Sequence, residues 1–174
     1  EAAAESITTH LLNTGRTRVL HITGRPNSVS GRDRVIGFRR AMRKAGLSVE
    51  QSVVPGDYTD ESGYEAAKKL IDSGVSFDAL FCGNDNTARG AYEALAEAGV
   101  SVPDDVAVAG FDDLDFAAEL EPPLTTVRQG VGEIGHEAAR TLLSLLESPD
   151  SGPRRVLLPT ELVVRGSTAA GASG

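Results

Sequence analysis

Two apolar runs in this chain stop abruptly on hydrogen-bonding residues. Ala79-Leu80-Phe81-Cys82 gives way to Gly83-Asn84-Asp85, and Val106-Ala107-Val108-Ala109 gives way to Gly110-Phe111-Asp112-Asp113. A carboxamide offers both donors and an acceptor, whereas an ionised carboxylate only accepts. At the carboxyl ends of two parallel strands, Asn84 and Asp112 would face one cleft, the place where ligands sit in such sheets. Arg34, in the first turn of a helical pattern after Gly24, adds a planar guanidinium that can hold two neighbouring hydroxyls or a carboxylate at once. These groups suit a hydroxyl-bearing ligand. The chemistry is binding rather than bond breaking.

Each residue has a plainer reading. Arg34 could be a solvated helix residue paired with Asp33, as most arginines are. Asn84 could cap the following helix, unless Asp85 is the cap and frees Asn84 for a ligand. Asp112 could be a turn residue, with Asp113 a similar candidate. Tyr58, in Gly56-Asp57-Tyr58, lies at a strand-to-helix turn. His10, His21 and His136 are far apart and lack the spacing of metal ligands, so structural or surface roles are expected and no metal is assigned.

The elements that must position these residues alternate between strand and helix patterns. Ala2 to Asn13 reads as a helix stopped by Gly15, and Arg18 to Thr23 as a strand. Ser30 or a neighbour caps the next helix, which Gly46 ends. Gln51 to Val54, Phe77 to Cys82 and Ala107 to Phe111 read as strands. Glu61 to Ser73 and Thr87 to Ala98 read as the helices between them, ending at Gly74 and Gly99. This order implies an α/β fold, a parallel sheet flanked by helices through right-handed crossovers. Leu120 to Thr126, with Pro122-Pro123, reads as an extended connector. Gly132 to Glu147 is an amphipathic helix, Ser148 to Pro153 a turn-rich linker, and Arg155 to Leu158 and Leu162 to Arg165 two short strands. Ser167 to Gly174 reads as a frayed tail.

The motifs resemble those of the lactose/galactose repressor (LacI/GalR) family over most of the chain. They run from Gly24-Arg25-Pro26 and Ser28 to Phe38, through Asn84-Asp85 with Ala88 and Gly90, to Val102-Pro103-Asp104-Asp105-Val106. Gly110-Phe111-Asp112-Asp113, Pro122-Pro123-Leu124-Thr125-Thr126-Val127 and Leu158 to Thr168 follow in order. The resemblance implies the C-terminal part of a periplasmic-binding-protein-like effector domain. Residues 1–126 would form the C-terminal lobe, 127–150 a crossover and a helix of the N-terminal lobe, 151–168 the return strands, and 169–174 a disordered tail. It places ligand contacts at Arg34, Ser30, Asn84, Asp112 and Tyr58, the last as a stacking platform. Val131 stands where some relatives present an aromatic, which alters the pocket wall. The family's DNA-reading domain precedes such a segment, and Glu1 in place of Met reads as a fragment or processed product. A homodimer contact is expected around Ala88, Arg89 and Leu114 to Leu120. The apolar stripe of the 132–147 helix should be exposed, or covered by another copy or the missing lobe.

Composition narrows the classes. The net charge of −8 makes the chain a poor nucleic-acid binder by itself, so operator DNA would be reached only through the missing domain. No signal peptide or apolar run of about 20 residues suggests a membrane. One cysteine, Cys82, fits a reducing cytoplasm. The leading expectation is a cytoplasmic sugar-responsive repressor without cofactor. The alternatives are the sugar-binding protein of a transporter with the same fold, and a magnesium-dependent phosphotransferase using Asp113-Leu114-Asp115. The latter lacks supporting P-loop, nucleophile-elbow or dinucleotide motifs. The ligand itself stays open between sugars and purines.

Overall fold

The central strands are short apolar runs with both faces covered, as a parallel sheet between helix layers requires. In the computed structural model, which describes residues 1–148, 152 and 155–169, β1 (Val19–Ile22), β3 (Ala79–Cys82) and β4 (Ala107–Ala109) are buried at every position. With β2 (Val53–Val54) they form a four-stranded parallel sheet in the order β2-β1-β3-β4. The period of two along each strand divides the core between two faces. Leu20, Ile22, Leu80, Cys82 and Val108 point to α3 (Asp60–Asp72) and α4 (Asp85–Glu97), meeting Ala67, Ala91 and Leu95. Val19, Ala79, Phe81, Ala107 and Ala109 point to α1 (Ala2–Asn13) and α2 (Val29–Lys44), meeting Ile7, Leu11, Phe38 and Met42.

Helices begin where side chains can satisfy their free N–H groups. Ser28, not Ser30, caps α2 by accepting from the Gly31 amide, and Thr59 caps α3 by accepting from Ser62. α3 and α4 approach so closely that a Cβ on Gly90 would strike the Asp60 carbonyl, and one on Gly63 the Thr87 carbonyl. These two glycines are therefore packing residues.

His21 is the buried polar member of β1. It stacks on Phe81 with ring centroids 4.4 Å apart, and its Nδ1 lies 2.8 Å from the Phe81 carbonyl oxygen. Burial lowers its pKa to about 4, so the ring is neutral at neutral pH. His10 lies 2.7 Å from the Thr168 hydroxyl, and His136 lies beside Arg140 on the exposed last helix.

Beyond β4 the regular alternation ends. A 3-10 turn at Asp115–Ala118 interrupts the approach to the connector, which then joins the sheet edge through parallel bridges Ala109–Thr125 and Asp112–Arg128. β5 (Thr126–Arg128) pairs antiparallel with β6 (Glu161–Val163), with Arg128 opposite Glu161. Between them runs α5 (Val131–Glu147), entered through Gly130 at φ 62. None of its residues is buried, and Ile134, Leu142 and Leu146 are exposed. A cavity of about 570 Å³ lies between its apolar face and Val156, Leu157 and Leu158.

Several expectations are corrected. Residues 155–160 form no strand, because the β5 edge pairs with Glu161–Val163 instead. Of the expected linker, residues 149–151 and 153 lie outside the described residues, as do residues 170–174 of the tail. Ser167 and Thr168 are not frayed but buried in a 3-10 turn. Ser167 Oγ donates to the Val108 carbonyl at 2.6 Å and accepts from the Thr125 amide at 2.8 Å, so these small polar residues close the edge beside β4. Ala88 and Ala117 are core residues, which removes them from the expected contact strip. Arg89 there is bidentate to Asp60 and lies 4.1 Å over the Phe116 ring.

Candidate functional site

The carboxyl ends of β1, β3 and β4 bring together residues far apart in sequence. Arg34, in the second turn of α2, points across the sheet rather than into solvent and is 8% exposed. Its Nη1 donates to the Gly83 carbonyl at 2.7 Å, and its Nη2 donates to Asp112 Oδ1 at 3.2 Å. Its guanidinium carbon lies 3.9 Å from the centroid of Phe111 and 5.4 Å from that of Tyr58. Such faces attract a cation and hold its plane. Gln129, leaving β5, donates through Nε2 to the same Asp112 oxygen. Burial raises the Asp112 pKa, while Arg34 and Gln129 oppose that shift.

Tyr58 takes φ 78, and its ring lies over Gly24 where any Cβ would collide with it. Its hydroxyl is 3.1 Å from Ser30 Oγ, so Ser30 meets the site through Tyr58. Asn84 bonds both Thr87 and the Tyr58 backbone. Its Oδ1 accepts from the Thr87 amide at 2.9 Å and hydroxyl at 2.8 Å, and its Nδ2 donates to the Tyr58 carbonyl at 3.1 Å. The alternative in which Asp85 caps α4 and frees Asn84 is thus corrected: Asn84 is the cap. Val131, 62% exposed, shares with Asp112 an open cavity of about 340 Å³.

Asp85 turns the other way. Its Oδ2 accepts from the Leu114 amide at 2.8 Å and its Oδ1 from the Thr126 hydroxyl at 2.6 Å. Burial pushes its pKa up to about 6 against those two bonds. Asp113 is held between Arg165 and Arg128, at 2.6 and 2.7 Å. Burial works against its charge, yet the two arginines outweigh burial and hold its pKa below the usual carboxylate range. Tyr58, Asp112 and Asp113 all take positive φ, at 78, 116 and 58. Backbone held in such regions concentrates at ligand sites, where packing over-determines it.

Gln129 and Phe111 were missed as site residues. Phe111 sits inside a quoted motif, but only the crossing of α2 over the sheet shows that its ring flanks Arg34. Gln129 had a weak signal, an uncharged polar residue just before the glycine that opens α5. Among the described residues no cluster of His, Cys, Asp or Glu could hold a metal ion, and no helix is long and apolar enough to cross a membrane.

At the carboxyl ends of a doubly covered parallel sheet, a buried Arg34 flanked by Phe111 and Tyr58 meets the half-buried Asp112. Comparison with known proteins gives the class of this fold. The periplasmic binding protein-like domain family matches residues 8–168. The ribose operon repressor of Escherichia coli (strain K12) is 37% identical over 161 residues, 92% of this chain and 49% of that protein. A LacI-family transcriptional regulator from Sanguibacter keddieii superposes with a TM-score of 0.89 at 38% identity, over 97% of this chain and 64% of that one. The transcriptional regulator CelR in complex with cellobiose gives a TM-score of 0.91 at 36% identity, over 95% of this chain and 51% of that one. The chain belongs to the periplasmic binding protein-like family, in the branch formed by the effector-binding domains of LacI/GalR transcriptional regulators. It spans about half the length of the curated relatives it matches.

Proposed function

We propose that this chain is the effector-sensing part of a cytoplasmic, homodimeric LacI/GalR-type repressor that contacts operator DNA through a segment outside these residues. Its effector is a small hydroxyl-rich molecule, a sugar. The observation that carries this reading is the Arg34–Asp112 pair, a fork of donors beside an acceptor, buried against Phe111 and Tyr58. Adjacent sugar hydroxyls donate to Asp112 and accept from Arg34, replacing part of the bond between them. Gln129 extends the same network, and Tyr58 offers a face to the ring. Asn84 acts behind Tyr58, and Ser30 holds the Tyr58 hydroxyl.

We assign residues 1–126 and 151–168 to one lobe and residues 127–150 to a crossover and a helix of the other. A ligand closing the two would bias DNA binding only through its preference for one arrangement. Calorimetric titration of the full-length protein with D-ribose and cellobiose tests the reading. Binding that Arg34→Ala weakens strongly is expected. An unchanged affinity in that variant removes Arg34 from the site, and binding of neither sugar removes the sugar assignment.

A further inference from the structure

The loop that presents Asp112 carries a second carboxylate that does not touch Arg34. Asp113 Oδ1 accepts from Arg165 Nη2 at 2.6 Å, and Oδ2 accepts from Arg128 Nε at 2.7 Å, with the side chain only 8% exposed. Arg128 ends β5, where the chain leaves for α5, and Arg165 follows β6, where it returns. Each arginine has a further anchor. Arg128 Nη1 donates to Glu161 across the ribbon at 3.0 Å, and Arg165 Nη1 donates to the Leu124 carbonyl at 2.7 Å. The Asp113 amide also faces Thr126 Oγ1 at 3.4 Å. One carboxylate therefore grips both strands of the ribbon beyond which α5 buries none of its residues.

The geometry points to Asp113 as a positioning residue, a hinge lock that fixes the β5–β6 ribbon and α5 relative to the cleft of Arg34 and Asp112. Charge-assisted bonds to two guanidinium groups hold direction as well as distance. Asp112 and Asp113 are consecutive, both at positive φ, so a ligand that moves one moves the other. Coupling of this kind needs an element with two discrete arrangements, a part this lock would give to the ribbon. The mechanical claim stands without a ligand; its regulatory consequence rests on the effector reading above.

Spin labels on Glu65→Cys in α3 and Arg140→Cys in α5, both exposed positions, report the angle of α5 to the sheet. Cys82 is buried and does not compete for label. Electron-resonance distances should be narrow for the otherwise unchanged chain and broadened by several ångströms by Asp113→Asn. An unchanged distribution in that variant overturns the lock. If Asp113→Asn fails to fold, Arg128→Gln removes one of its two arms together with the Arg128–Glu161 bond, and a smaller broadening is expected. No broadening there also overturns it. In the full-length protein, D-ribose that narrows the distribution without Asp113→Asn, but not with it, ties the lock to the effector. Ribose that binds and acts equally on both overturns that tie. If neither ribose nor cellobiose binds, the effector reading falls and the unliganded distances still decide the lock.

Discussion

Arg34 and Asp112 lie 78 positions apart in the chain and meet at 3.2 Å, with Arg34 almost removed from water. Removing either partner would leave the other's charge without its mate in a site poor in water, so breaking the pair destabilises the fold. The same pair forms the proposed receptor for hydroxyls.

Arg34→Lys separates those two roles. A lysine keeps the positive charge near Asp112 but loses the planar fork and its seat over Phe111. Sugar affinity is expected to fall by roughly tenfold or more, the worth of a charge-assisted hydrogen bond. The melting temperature should fall less than in Arg34→Ala. Calorimetry and thermal unfolding on both variants check this, and equal affinity in Arg34→Lys would show that charge alone suffices.

Gly90→Ala should destabilise the protein by about 2 kcal/mol or more, because the new methyl group meets the Asp60 backbone and must push α3 from α4. Gly132→Ala, with nothing near its Cβ position, should instead stabilise α5 by about 0.5–1 kcal/mol. Denaturant unfolding distinguishes the two. Similar small changes in both would mean the α3–α4 contact yields easily.

His21 and Asp85 give opposite pH dependences. The folded pKa of His21 is lowered from 6.5 to about 4, so its stabilising neutral state is fully present above 6.5 and is lost as pH falls towards 4. The folded pKa of Asp85 is raised from 3.8 to about 6, so its contribution is fully present below 3.8 and is lost as pH rises through 6. Each shift corresponds to roughly 3 kcal/mol at most. The two slopes largely cancel between pH 4 and 6, with Asp112 adding in the sense of Asp85. His21→Leu should therefore gain stability relative to neutral pH as the solution is acidified, and Asp85→Asn should lose it. Urea unfolding across that window gives the signs, and parallel curves for the two variants would contradict the assignment.

The isolated chain is expected to self-associate with concentration. Leu142 and Leu146 are 59% and 69% exposed on one helix face, beside the exposed Val156 and Leu157. An apolar patch of this kind seeks cover. Leu142→Glu with Leu146→Glu should restore a monomer in sedimentation velocity. A monomer at high concentration in the parent chain would show that the patch tolerates water.

Much of the frame was readable before folding. Helix stops followed local chemistry, as with Gly46 after α2 at φ 73, whereas the cap before α2 is Ser28, a neighbour of the expected Ser30. The apolar runs of β1, β3 and β4 announced strands buried on both faces, because only such strands lack an alternating polar face. Ser167 and Thr168 looked like tail residues by composition. Their burial follows from hydroxyls that fit the open edge at Val108 and Thr125, a partnership between distant segments.

For the site, the sequence by itself determined which side chains stand at strand and helix ends: Arg34, Asn84, Asp112 and Tyr58. Residue type and hydropathy period are local properties, and they suffice for that. Which partners they meet was decided by the tertiary structure alone. Asn84 stood where a helix cap was expected, and the positions of Thr87 and Tyr58 gave its side chain the bonds it makes. Phe111, Gln129 and Asp113 acquired their partners only when α2 crossed the sheet and the β5–β6 ribbon folded back. A hydrogen bond or cation–π contact depends on ångströms and angles between segments far apart in the chain, and those distances exist only in the folded molecule.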